Sequence, residues 1–150
     1  MPENKTALIQ RYRDTRAALL AALDGLSDDA LTETSLDGWS VKDHLAHLAF
    51  WDDIRADEVI RISAGHDSAW SMTDEVDEEL NAMSYGIRRA LPLAQVRWEL
   101  ANSRQRLLDA LAAATDRGLD ASLYGAAGLA NGHEAEHTGW IQRWRAERGI

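Results

Sequence analysis

The chain has 150 residues, with 16 Lys and Arg against 25 Asp and Glu for a formal net charge of −9, no cysteine, two prolines and six tryptophans. That length suits a single domain, 1–150, with room for a sizeable core. An acidic chain without a Lys/Arg-rich run makes nucleic acid a poor partner, since phosphate binding rests largely on cationic neutralisation. The lack of cysteine removes disulfides, thiolate metal sites and a cysteine nucleophile, so the chemistry is confined to nitrogen and oxygen ligands. Met1-Pro2-Glu3-Asn4-Lys5 has no basic head before an apolar stretch, and no run approaches the roughly 20 apolar residues of a membrane span. The expectation is a cytoplasmic protein with no membrane partner.

Apolar residues recur at helical spacing throughout. From about Asn4 to Leu26, Leu8, Tyr12, Leu19, Leu23 and Leu26 form one stripe. A polar break through Ser27 and Ser35 follows, and Asp37-Gly38 marks a turn. Ser40 is placed to cap the next helix, with Asp43 in its first turn, and Val41, Leu45, Leu48, Val59 and Ile62 continue a buried stripe towards Gly65. Gly65 to Met72 reads as a loop. Thr73 caps a third helix that opens on Asp74-Glu75 and carries Val76, Leu80, Met83 and Ile87 to Leu91. Pro92 suits the first turn of a fourth helix, which runs on Leu93, Val96, Leu100, Leu107 and Leu111 to about Ala114. After a break with Gly118, Gly125 and Gly128, a last helix begins between Ala126 and Gly132 and ends near Arg148. No strand pattern, repeat or linker interrupts this, so the reading is all-α: a four-helix bundle with one additional short helix.

Four of the five histidines fall in two helical clusters, His44 with His47 and His133 with His137. Residues at i and i+4 share a helix face, so His133 and His137 can converge on one metal ion. Trp140 and Trp144 continue that face, which points it into the bundle. Two imidazoles do not complete a site, because a catalytic zinc takes three protein ligands plus water. Either His44 or His47 is placed to supply the third, and spacing does not decide between them. Buried histidines are often no more than hydrogen-bonded core residues, and tryptophans at helical spacing are usually core as well. The acidic run Asp74 to Glu79 reads as a solvated helix start.

His133-Glu134-Ala135-Glu136-His137 also satisfies the H-E-x-x-H pattern, in which the first glutamate activates water beside a zinc ion. Only 13 residues follow His137, none of them histidine and only Glu147 a carboxylate, so the usual downstream third ligand is nearly absent. An all-helical protein also offers no strand edge to hold an extended peptide. A zincin-like hydrolase is therefore a minor alternative.

The segment Gly38-Trp39-Ser40-Val41-Lys42-Asp43-His44-Leu45-Ala46-His47-Leu48, followed by Trp51, resembles the signature of the DinB-like superfamily. Asp77-Glu78-Glu79-Leu80-Asn81-Ala82 resembles a segment of its thiol-transferase-like and ClbS/DfsB-like branches. The helix after Pro92 and the terminal His133 and His137 continue the likeness, which covers essentially the whole chain. It implies a four-helix bundle, commonly a homodimer, with a divalent metal, zinc or nickel, held by three histidines. Carried over by residue, these are His47, His133 and His137. The resemblance further implies an enzyme that sets water or a low-molecular-weight thiol cosubstrate, such as bacillithiol or mycothiol, against a small electrophilic substrate, as a transferase, isomerase or hydrolase. Glu134 or Glu136 is a candidate base or supporting residue, and Asn81 and Tyr85 are candidate substrate-binding residues. A metal- or ligand-binding bundle without turnover is the alternative outside enzymology.

Overall fold

The computed structural model describes residues 2–130 and 132–150. Helix α1 (Lys5–Leu23) starts where the Asn4 side chain accepts the Ala7 N–H. The polar break read from the sequence holds a short helix, α2 (Asp28–Thr32), capped by Ser27 and anchored by buried Leu31. Single-residue burial of this kind leaves no periodic signal. Asp37 and Gly38 both take left-handed backbone, at φ 53° and 84°, which closes a tight turn with reciprocal hydrogen bonds between Leu36 and Trp39. The turn delivers Trp39 to the mouth of α3 (Val41–Ser63), whose first turn is fixed by a capping box between Ser40 and Asp43.

Helix α4 (Asp74–Arg88) is capped by Thr73, and Pro92 opens α5 (Leu93–Ala112). Two 3-10 turns, Arg117–Leu119 and Ala121–Leu123, carry the chain to α6 (His133–Arg148), which ends on left-handed Gly149. Gly132 precedes the first residue of α6, and Gly139 lies inside the helix. Among the described residues no strand forms beyond the Leu36 and Trp39 bridge. The bundle proper is α1, α3, α5 and α6, with α3 and α5 most closely packed and α4 laid mainly against α3.

The core is divided. One apolar cluster gathers Leu19, Leu31, Val41, Leu45, Leu100, Ile141 and Trp144, and a second gathers Leu8, Val59, Leu107, Leu111, Leu119 and Leu129. Between them α1 contributes Arg16, α3 contributes Asp52 and Arg55, α5 contributes Arg104, and α6 adds Glu134. Asp52 receives Arg16 at 3.0 Å, Arg104 at 2.9 Å and Arg55 at 3.2 Å, while Glu134 pairs with Arg16 at 2.9 Å and Arg104 at 3.0 Å. All five side chains are buried. The spare guanidinium N–H groups are used as well: Arg16 donates to the Leu100 carbonyl, Arg104 to that of Tyr12, and Arg55 to those of Ala127 and Gly128.

Removing one partner from such a cluster strands buried charge. Asp52→Ala should destabilise the protein by about 3–5 kcal/mol, read as a lower urea midpoint, and should do so more than Leu→Ala at half-buried Leu23.

Candidate metal centre

Two helix registers build the site. On α3, His44 and His47 face α6, and on α6 His133 is the first helical residue with His137 one turn later. His47 Nε2 lies 3.0 Å from His133 Nε2, and His137 Nε2 lies 3.2 Å from it. The three ligand atoms lie within 4.8 Å of one another. A tetrahedral ion with nitrogen ligands at 2.0–2.1 Å separates those nitrogens by about 3.3 Å, so the triad fits one divalent ion. Neutral nitrogens aimed at a common point also repel one another unless a cation or proton lies between them.

His44 stands behind this triad. Its Nδ1 is 2.8 Å from His137 Nδ1. In the tautomer suited to a ligand, His137 donates that Nδ1 proton to His44 and presents its Nε2 lone pair to the centre. The structure thus separates two histidines that spacing left equivalent: His47 faces the other two, and His44 orients one of them.

Burial, reinforced by the neighbouring imidazoles, lowers the His137 pKa to about 2 and the His47 pKa to about 3. His44 and His133 are lowered too, again chiefly by burial, with Arg55 adding to the effect at His133. All four rings are neutral at physiological pH, as metal ligands must be. Trp39 flanks them, with its ring centroid 5.1 Å from His44 and 5.5 Å from His47, and Trp140 lies 4.6 Å from His137. Trp144 continues the face inward and is buried, whereas Trp140 stays at the rim, 38% exposed.

A cavity of about 260 Å³ opens beside His133, lined by Trp51, Arg55, Asp77, Asn81, Ala126 and Glu136 among others. Asn81 accepts the Trp51 indole N–H at 2.7 Å. Tyr85 lies apart from this cavity, stacked on Trp39 with 5.0 Å between centroids and 2° between planes. Asp77 departs from the solvated helix start expected of its run. Its Oδ1 is buried without a hydrogen-bond partner, and burial, with Asp74 and Glu78 nearby, raises its pKa. A larger hollow of about 510 Å³ lies between α1 and α5 and touches none of the three histidines.

Glu134 does not line the cavity beside His133. Its carboxylate is held by Arg16 and Arg104 on the bundle side, while Glu136 is exposed at the cavity. Sequence reasoning missed Arg16, Asp52 and Arg55, although each interrupts an apolar stripe at a core position. It also missed Glu58, fully buried, which accepts the Ala69 N–H at 3.0 Å and pairs with Ser68 and Arg61. That clamp ties the loop after α3 back to α3, and the same loop meets the segment preceding α6. There Ala126 N–H donates to the Trp70 carbonyl at 2.8 Å, and a Cβ at Gly125 would stand 2.5 Å from the same oxygen.

Bundle and triad together define a helical protein with the donor set of a metal centre. The chain belongs to the DinB superfamily, whose family model matches residues 11–141 and so spans all three histidines. It is also similar to a crystal structure of an uncharacterised protein from Escherichia coli UTI89, at 15% identity and a TM-score of 0.78, over 100% of this chain and 97% of that one. At that identity the likeness shows the fold alone. No curated protein matches the chain. Family membership and the buried cluster fit a metal-binding protein.

Two measurements follow from the histidine geometry. His44→Phe should weaken metal binding by about 10–100-fold in competition with a chelator, while keeping one site per chain. Because the unfolded chain protonates its histidines near pH 6.5 and the folded rings resist it, the metal-free protein loses stability as pH falls below that value. By pH 5 the loss should reach about 2 kcal/mol for each deeply depressed ring, and His47→Asn with His137→Asn should flatten the dependence of melting temperature on pH.

Proposed function

We propose that the protein is a metal-dependent enzyme in which His47, His133 and His137 hold one divalent ion, zinc or nickel, and the adjoining cavity receives a small electrophilic substrate. The observation that carries this reading is the convergence of three neutral imidazole nitrogens at 3.0 Å and 3.2 Å beside an open cavity. A three-histidine ion supplies Lewis acidity that favours the deprotonated form of a water or thiol reaching it.

The chain's own residues divide the remaining work. Asp77 and Glu136 face the cavity as proton acceptors, and the raised pKa of Asp77 brings it closer to neutral pH than an ordinary carboxylate. Asn81, held by Trp51, presents an oriented amide at the same wall. Tyr85, stacked on Trp39, backs the histidines and so acts on substrate only indirectly. Glu134, ion-paired with Arg16 and Arg104, serves to fix the first turn of α6 and hence His133, and this weighs against the zincin-like reading in which it would be the base. With no cysteine in the chain, a thiol nucleophile must arrive as a cosubstrate.

Elemental analysis of tag-free protein should find close to one equivalent of zinc or nickel, lost in both His47→Ala and His137→Ala while the fold persists. Turnover of a model electrophile with and without added thiol then separates transfer from hydrolysis. Protein that takes up no metal even after reconstitution would overturn the proposal, and metal without turnover would leave a binding protein.

A further inference from the structure

The hollow between α1 and α5 is lined against the trend of the chain. Its walls are leucines: Leu20 and Leu23 from α1, Leu45 from α3 and Leu100 from α5, with Leu26 from the connection into α2 and Leu31 from α2 itself. Acids outnumber bases in the sequence by 25 to 16, yet three arginines, Arg16, Arg97 and Arg104, reach this space against a single acid, Asp24. The cavity beside His133 has the opposite balance, with Asp77 and Glu136 against Arg55. At about 510 Å³ the hollow lies within the usual size range of small-molecule sites, and its leucine walls with a few charged groups are the usual lining of one.

The three arginines stand in different states. Arg16 and Arg104 belong to the buried charge layer, where the guanidinium groups of Arg16, Arg55 and Arg104 meet the carboxylates of Asp52 and Glu134 and leave an excess of one positive charge. In the low dielectric of the interior that excess acts at longer range than a surface charge. Their own N–H groups are largely engaged, so these two supply a field more than a free fork of donors. Arg97 is different. Its side chain is 56% exposed, and its ion pair with Asp28 spans 3.6 Å to a side chain that is 84% exposed. A surface pair of that kind contributes little and exchanges readily for another anion. Arg97 and Arg104 are seven residues apart on α5, about 10 Å along the axis, with Leu100 and Ala101 of the hollow between them.

We infer that this hollow binds a medium-chain monocarboxylate, with its apolar chain along the leucines and its carboxylate on Arg97 at the rim. One available guanidinium matches one carboxylate, whose two oxygens accept its paired N–H groups. At roughly 30 Å³ for each water-sized group the hollow holds about 17 of them, which suits an acid of about ten carbons with water around its head. The excess positive charge of the layer adds to the preference for an anion over a neutral chain of the same length. None of the three histidines lines the hollow, so the site does not depend on the metal-enzyme reading.

Equilibrium dialysis of the full chain against decanoate tests the site, with decanol and decyltrimethylammonium as neutral and cationic chains of the same length. The wild type should bind one decanoate per chain saturably, and the other two at least about tenfold more weakly. Arg97→Glu and Ala101→Trp both sit on exposed positions and should leave the circular dichroism unchanged. The first reverses the charge at the rim and should weaken decanoate binding by about tenfold or more, and the second fills the hollow and should abolish it. Protein stripped of metal with a chelator, and His47→Ala protein, should bind decanoate as the wild type does, which separates this site from a carboxylate taken by the ion. Absence of saturable decanoate binding overturns the proposal and leaves the hollow to the side chains of a partner protein. Binding that survives Ala101→Trp, or that is lost with the metal, overturns it by placing the acid elsewhere. Decanol bound as tightly as decanoate, or full affinity in Arg97→Glu, overturns the carboxylate contact.

Discussion

Everything in this bundle is arranged around the buried charge layer at its middle. Taking five charged groups out of water is costly, and only near-complete mutual pairing makes it tolerable. Asp52 on α3 meets guanidinium groups from α1, α3 and α5, and Glu134 closes the set from α6. Helix packing between leucines tolerates small slides, because dispersion has no direction. Bidentate contacts between guanidinium and carboxylate do not. The layer therefore sets the axial register of the helices, and the two apolar clusters fill the space on either side of it.

That register is what the histidines inherit. Glu134 is the residue after His133, so the ion pairs that anchor one fix the backbone of the other. Arg55 extends the same control into the irregular segment before α6 by binding the Ala127 and Gly128 carbonyls. Tyr12 adds a hydrogen bond from its hydroxyl to the Leu129 carbonyl. A segment with no regular secondary structure is thus held by side chains from α1 and α3, and α6 can begin at His133 without a capping side chain of its own. The ion pairs one layer away thus add to the triad's own contacts in holding His133 in place.

Much of this was open to inspection in the sequence. Helix existence followed from apolar periodicity, the ends of α3 from Ser40, Asp43 and Gly65, and the pairing of His133 with His137 from helical spacing. The choice of His47 over His44 required the family resemblance, since both lie on the same side of α3 and only the facing helix distinguishes a converging nitrogen from one behind. The ion-pair layer went unread because periodicity counts apolar residues and passes over the charged residue standing in their row. Helix α4 exposes the other limit: its stripe is as regular as any in the chain, yet regularity does not say whether the face meets the same chain or the surroundings. Asp77 was hidden for a related reason, as one acid in a run of acids whose individual burial depends on which side of α4 turns inward.

The tight turn at Asp37 and Gly38 has an optical consequence. By setting Trp39 against His44 and His47, with Trp140 across from it against His137, the fold brackets the imidazole cluster between two indoles. The excited state of an indole is quenched by a nearby imidazolium and responds to the charge and polarisation of groups at van der Waals range. Two of the six tryptophans therefore sit where their emission answers to any change of charge on the histidines, without a label.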